Sequence, residues 1–338
     1  MVSLKDISKK CGVSVATVSK AINGHNDVSV KTKDMINRVA KEMGYFPNSQ
    51  ARALKTNRTY NLGVLFVDKA DLGLTHEFFA SVLNSAKKEA EKNGYDITFI
   101  NKNIGGHEMT YYEHCRYRNV DGVLVTCVDF KDPDVFELIN GELPIVTIDH
   151  TFDNKTAILS DNRQGIRDLF DYVYSMGHRK IGYVQGEKSC VTDNRIIGFF
   201  KALSDYNIQV EDDYILVGEY MNPELTEKLT MQFLSLPNPP TCIFLPDDFA
   251  AIGAYNAAKK LNLTVGKDIS FVGYDGQRIS QFLSPALTTY KQDSDEIGSS
   301  ATKQLISLIE KPNITFAEVI TIKGKIIVGG SVGRAKSI

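Results

Sequence analysis

At 338 residues and 43% apolar content the chain is too long for one small core and normal for a globular protein, so two or three domains are expected. No apolar run approaches the roughly 18 residues that span a bilayer, Met1-Val2-Ser3-Leu4-Lys5-Asp6 lacks a signal-peptide core, and five cysteines without a C-x-x-C pair indicate neither a disulfide framework nor a zinc site. The formal net charge of −2 hides a split: residues 1–60 hold eleven basic and four acidic side chains, residues 61–338 hold 28 and 37, so only the head suits a phosphate backbone.

The first amphipathic stretch, Leu4 to Cys11, puts Leu4, Ile7 and Cys11 on one helical stripe. Gly12-Val13 then supplies the short turn of a helix-turn-helix. Ser14 caps a second helix in which Val18 and Ile22 face the first, while Val15, Ala16 and Lys20 point outward. Small exposed residues at such an N-terminal end let a helix sit deep in a major groove. Ser29 caps a third helix running to about Gly44, with Met35, Ile36, Val39 and Met43 inward. Pro47-Asn48 opens a short helical piece, Ser49 to Lys55, below the roughly 12 residues at which an isolated helix is even marginal. It is expected to be a hinge that orders when two copies pair on DNA, with Leu54 as an apolar wedge in the minor groove; the alternative is a linker leucine resting on the body.

From Tyr60 the pattern alternates short apolar strands (62–67, 95–100, 122–125, 145–148) with helices, then restarts with a helix 163–176, strands 180–184, 215–218, 241–245 and 269–272, and helices 195–206 and 250–261. This is the rhythm of two doubly wound parallel sheets with a cleft between them. A last helix, 294–310, and strands 319–322 and 326–328 come too late to start a third domain and are expected to cross back and complete the two halves. The expected boundaries are a head at 1–46, a hinge and linker at 47–59, and a body at 60–338. Within the body, the first half takes about 60–161 and 292–323, the second about 162–291 and 324–332. Cys11, Cys127 and Cys242 lie in apolar runs and read as buried small hydrophobes.

In open α/β sheets ligands bind beyond the carboxyl ends of the strands. Those places hold Asp149-His150, Asp193 with Arg195, Tyr220, Asp247-Asp248 and Asp275. Alternatives stand beside several of these. Asp248 can be a helix N-cap, Arg195 can pair with Asp193, and Asp149-His150 resembles half of a catalytic pair but lacks a G-x-S-x-G elbow.

Across essentially its full length the chain resembles the lactose-repressor (LacI/GalR) family of bacterial transcription regulators. The matching segments are Leu4-Lys5-Asp6-Ile7, Val13 to Asn23, Gly44 to Asn48, Ala51-Arg52-Ala53-Leu54, Gly177 to Ile181, Arg195 to Phe199, Asp248 with Ala251 to Ala254, and Asp268 to Asp275. The resemblance implies a helix-turn-helix head, a body like periplasmic binding proteins, and a homodimer whose hinge helices pair in the minor groove. By the family pattern Val15, Ala16 and Lys20 face base edges, and Ser14, Thr17 and Ser19 hold phosphates, with Asn23 at the helix end. Thr17 and Ser19 read equally well as capping or packing residues. Ala51, Arg52 and Lys55 join Leu54 at the hinge. In the cleft, Arg195 and Asp275 become polar clamps and Tyr220 an aromatic platform, with Asp247 beside them. The first half adds the loop Thr75 to Phe79, including His76, Phe78 and Phe79, where the chain has His76-Glu77 and the family commonly has Asn-Pro.

Rings with carboxylates and one guanidinium suit a neutral sugar, whose C–H face they cover and whose hydroxyls they bind. The leading expectation is a cytoplasmic repressor, a homodimer on double-stranded operator DNA, released or recruited by such an effector, with no cofactor, metal or catalytic residue. The alternative is a sugar-binding transport protein. An enzyme on a nucleotide-binding sheet is a poor third, since no strand is followed by G-x-G-x-x-G or a P-loop. The tail after Val332 carries no leucine heptads, so a tetramer is not expected.

Overall fold

The computed structural model describes residues 2–23, 25–46, 58–68, 73–209 and 211–335. They form two compact units, Met1–Thr59 and Tyr60–Ile338. In the first, α1 (Leu4–Cys11) opens on a capping box between Ser3 and Asp6 and closes on Gly12, whose φ of 66° is left-handed and strains any residue with a Cβ. Ser14 caps α2 (Val15–Ile22) and Ser29 caps α3 (Val30–Glu42), each accepting a backbone N–H three residues on. Ile7, Val18 and Ile36, one from each helix, are fully buried against Ala21, Val28 and Ala40. At about 1.5–3 kcal/mol per buried aliphatic side chain, this core is what makes three short helices stable together.

The second unit holds two six-stranded sheets. The first contains β1 (Asn61–Phe66), β2 (Asp96–Ile100), β5 (Gly122–Thr126), β6 (Ile145–Ile148), β7 (Thr156–Ser160) and β13 (Val319–Ile322), in the order β2-β1-β5-β6-β7-β13, all parallel. A small hairpin, β3 (Asn103–Ile104) with β4 (His107–Glu108), lies beside it in sequence. The second sheet contains β8 (Ile181–Gln185), β9 (Ile215–Val217), β10 (Cys242–Phe244), β11 (Ser270–Asp275), β12 (Thr288–Lys291) and β14 (Lys325–Ile327), in the order β9-β8-β10-β11-β12-β14. Here β14 alone runs antiparallel, on the sheet edge.

Helices cover both faces, which is why β5, β6 and β8 read as continuous apolar runs rather than alternating ones. On the first sheet α4 (Glu77–Lys92) packs one face while α5 (Tyr111–Arg118) and α6 (Pro133–Asn140) pack the other. On the second, α7 (Asn162–Ser175) and α8 (Cys190–Asp205) oppose α9 (Pro223–Leu234) and α10 (Ala251–Lys260). A short α11 (Ile279–Phe282) precedes β12, and α12 (Ser294–Glu310) returns to the first sheet, where Ile297, Ala301 and Leu305 pack with the face covered by α4.

Two differences from the sequence pattern matter. Strands β7 and β12 were not anticipated, because threonines fill buried positions in both. Their hydroxyls are satisfied locally, as where Thr289 donates to Asp248 Oδ1 at 2.6 Å, so polarity masks burial. Helix α8 starts at Cys190 rather than near Arg195, because Ser189 accepts the Thr192 N–H and caps it early. Of the cysteines, Cys242 is buried as expected, while Cys11 and Cys127 are only partly so.

Candidate functional site

On the head, α2 presents Val15, 39% exposed, with Ala16 and Lys20, on the face away from the core. Ser14 Oγ accepts the Thr17 N–H at 3.1 Å and lies 2.8 Å from Thr17 Oγ1, so in the free protein both hydroxyls serve the helix start. Asn23 donates to the Ser19 carbonyl at 2.7 Å and closes the helix end. Lys20 is held by Asp27, from the turn that follows. Ala51, Arg52, Leu54 and Lys55 lie outside the described residues.

In the body, the carboxyl ends of strands from both sheets meet around a cavity of about 210 Å³. The first sheet sends Asp68 after β1, Cys127 after β5 and Asp149 after β6, and α4 begins with Phe78 and Phe79 beside them. The second sends Glu187 after β8, Tyr220 after β9, Asp247 after β10 and Asp275 at the end of β11. The structure thus brings together His76, Phe78, Phe79, Asp149, Arg195, Tyr220, Asp247 and Asp275. Asp193 does not belong with them. On α8 it sits two positions, about 200° of rotation, from Arg195, and it is exposed.

Arg195 is the centre of the second wall. Buried, it donates to Asn162 Oδ1 at 2.8 Å, to the Pro246 carbonyl at 2.9 Å and to Asp275 Oδ1 at 3.3 Å, and its guanidinium lies 3.6 Å from the centre of the Tyr274 ring. Its partner is therefore Asp275, not Asp193. Asp275 also accepts from Gln292 at 2.7 Å. Tyr220 lies over Gly186, where a Cβ would stand 2.3 Å from the ring, and its hydroxyl meets Thr192 Oγ1 at 2.8 Å. Glycine at 186 is what lets the ring reach the cavity.

Burial pushes the Asp247 carboxyl up to about 7, with the neighbouring Asp275 adding to it and backbone N–H donors from Ala250 and Met221 opposing. Asp248 does not cap α10. It accepts the Gln277 N–H and the Thr289 hydroxyl, each at 2.6 Å, tying β11 to β12. Burial also raises Asp149, to about 6, against the Ser160 N–H and Arg195. His76 is buried, its Nδ1 without a hydrogen-bond partner among the described residues and its ring edge-on to Phe79 at 4.8 Å. Phe78 is largely core and Phe79 partly so.

His150, which the rule about strand ends names, also lines the cavity, together with Cys190, Phe130 and Gln292, which it does not reach. His150 stacks on Phe130 with centroids 4.1 Å apart, and its Nδ1 lies 3.1 Å from Cys190 Sγ. Burial lowers the imidazole and raises the thiol, the latter helped by Asp193, so the pair is neutral, the opposite of an activated thiolate. Asp149 meanwhile accepts from Ser160 and does not orient His150.

Comparison with known proteins agrees with this geometry. The family model described as bacterial regulatory proteins, lacI family, matches residues 3–48, and that of a periplasmic binding protein-like domain matches residues 170–332. The chain is 32% identical to the HTH-type transcriptional repressor PurR of Pectobacterium carotovorum subsp. carotovorum (strain PC1) over 317 residues, 91% of each chain. It is 30% identical to the probable HTH-type transcriptional repressor ExuR of Bacillus subtilis (strain 168), over 99% of each. A lac repressor dimer solved with operator and the anti-inducer ONPF shares the fold, with a TM-score of 0.80, 24% identity and 98% of each chain covered. These relatives are repressors rather than enzymes, and among the described residues no helix is long and apolar enough to cross a membrane. The chain belongs to the lacI family of bacterial regulatory proteins and is a DNA-binding transcriptional regulator.

Proposed function

We propose that the chain is a homodimeric repressor whose grip on operator DNA is set by a small neutral molecule, a sugar, bound in the cavity between the two sheets. The observation that carries this reading is the wall of the cavity, where the buried Arg195, held by Asp275, stands with Asp149, Tyr220, Phe79 and His76 around one space. Aromatic faces from both walls cover a C–H surface, and the carboxyls with the guanidinium bind hydroxyls. Five carboxyl groups line the cavity against the Arg195 guanidinium and the Lys188 ammonium, which disfavours a strongly anionic ligand.

In this reading Val15, Ala16 and Lys20 read base edges, Ser14, Thr17 and Ser19 hold phosphates with Asn23 at the helix end, and Ala51, Arg52, Leu54 and Lys55 serve a hinge paired across the dimer. Ligand binding shifts the angle between the halves of the body, and coupling of this kind is a differential affinity of about 1–3 kcal/mol. The test is a thermal-shift screen of the full chain against a sugar library, followed by duplex binding with and without each hit. A sugar that raises the melting temperature and changes duplex affinity by about five- to 150-fold supports the reading. No stabilisation by any neutral sugar, with stabilisation by an acid or a base instead, would replace the ligand class.

A further inference from the structure

Lys20 is the charged member of the exposed face of α2, and it is not free. Asp27 holds it from the turn between α2 and α3, with the two side chains 48% and 53% exposed. The lysine ammonium in turn draws the Asp27 carboxyl below its ordinary pKa, so the carboxylate is charged throughout the neutral range. An exposed ion pair of this kind adds little to folding stability, and its consequence lies in what Lys20 can still bind. An ammonium carries three donors, of which Asp27 takes one, leaving two for the O6 and N7 acceptors of a guanine. A phosphate in the same place would bring a full negative charge against the Asp27 carboxylate, whereas the guanine edge offers only partial charges.

We propose that Asp27 is a positioning residue that sets specificity: it steers Lys20 away from phosphates and toward guanine, trading non-specific affinity for base reading. The inference rests on the reading of Lys20 as a base-contacting side chain. The full-chain protein and its Asp27→Asn, Asp27→Glu and Lys20→Ala variants are each used to select binders from random-sequence duplexes. Each is then titrated at several salt concentrations against the duplex that wild type selects and against an unselected one. Asp27→Asn is expected to lose about tenfold in the preference for the selected duplex, the scale of one base pair. Its salt dependence on unselected DNA should steepen by about 0.9 log unit per log unit of salt, as Lys20 gains a phosphate. Asp27→Glu, which keeps the charge, should retain the wild-type preference. If Asp27→Asn keeps the wild-type preference while Lys20→Ala relaxes the selected sequence, Asp27 has no such role. If Lys20→Ala relaxes nothing, Lys20 reads no base, and the reading of α2 falls together with the inference.

Discussion

On the second sheet's side of the cavity Arg195 is held by Asn162, Pro246 and Asp275, and Asp275 by Gln292, whereas on the first sheet's side His76 Nδ1 has no partner among the described residues and Asp149 is pushed toward its neutral form. One wall rings a buried cation with partners already in place, the other is a mainly aromatic surface that sets a raised carboxyl beside its rings. The difference is energetic. A buried cation is tolerable only when its partners are already in place, so the second wall must be complete without ligand. The first wall holds no buried cation, so a neutral nitrogen without a partner there carries a smaller penalty.

The comparison breaks most visibly at Arg195. Replacing it with Ala leaves Asp275 without its cation and costs about 3–5 kcal/mol, which denaturant unfolding of the full chain will register as an earlier transition for the body. Arg195→Lys will recover only part, because an ammonium lacks the planar fork that spans three acceptors. A wild-type midpoint for Arg195→Ala would mean that the second wall is not held by this network. Next comes Gly186→Ala, whose methyl would overlap the Tyr220 ring and costs about 1–3 kcal/mol, read in the same unfolding measurement. Unchanged stability there would show that the ring moves freely and is not part of a built wall.

Titration probes one carboxyl on each wall. Asp149 and Asp247 are raised to about 6 and about 7 from 3.8, so between those values the folded chain keeps protons that the unfolded chain has lost. Their contribution is therefore most favourable below about pH 4, declines as pH rises through 4 to 7, and is constant above, at up to about 1.4 kcal/mol per pH unit for each group. Asp149→Asn keeps a side chain that accepts the φ of 62° and removes one of these declines. The difference in unfolding free energy between wild type and variant, followed from pH 4 to 6, should change with that slope; a difference independent of pH rules out the raised carboxyl. The smallest effect is at His76. His76→Phe removes the orphaned nitrogen and should stabilise the ligand-free protein by about 1 kcal/mol while weakening its response to ligand. A variant that loses stability and keeps its full response would contradict a penalty at that nitrogen.

Much of the fold was legible in the residues. The Ser14 and Ser29 caps, the Gly12 turn and the separate helical stripes that carry Ile7, Val18 and Ile36 are local signals, and the apolar runs of β5, β6 and β8 can be seen without any partner strand. Strands β7 and β12 were not legible, because their buried threonines look polar until neighbouring backbone and Asp248 are there to satisfy them. In the cavity, the rule of strand ends reached Asp149, Tyr220, Asp247 and Asp275, while Asp68 and Cys127 obey the same rule and were passed over. Asp193 misled because proximity in sequence to Arg195 says nothing of direction until the start of α8 is known.

Helix periodicity, capping residues, strand runs and the lopsided charge are properties of neighbouring residues, and those the chain settled by itself: a three-helix basic head and two parallel sheets. Which aspartate meets Arg195 and which carboxyls are raised by burial depend on distant groups, such as Asn162 and Asp275, 33 and 80 residues from Arg195. Only the packing of the strand ends decided these, because burial and charge pairing arise where distant segments exclude water together.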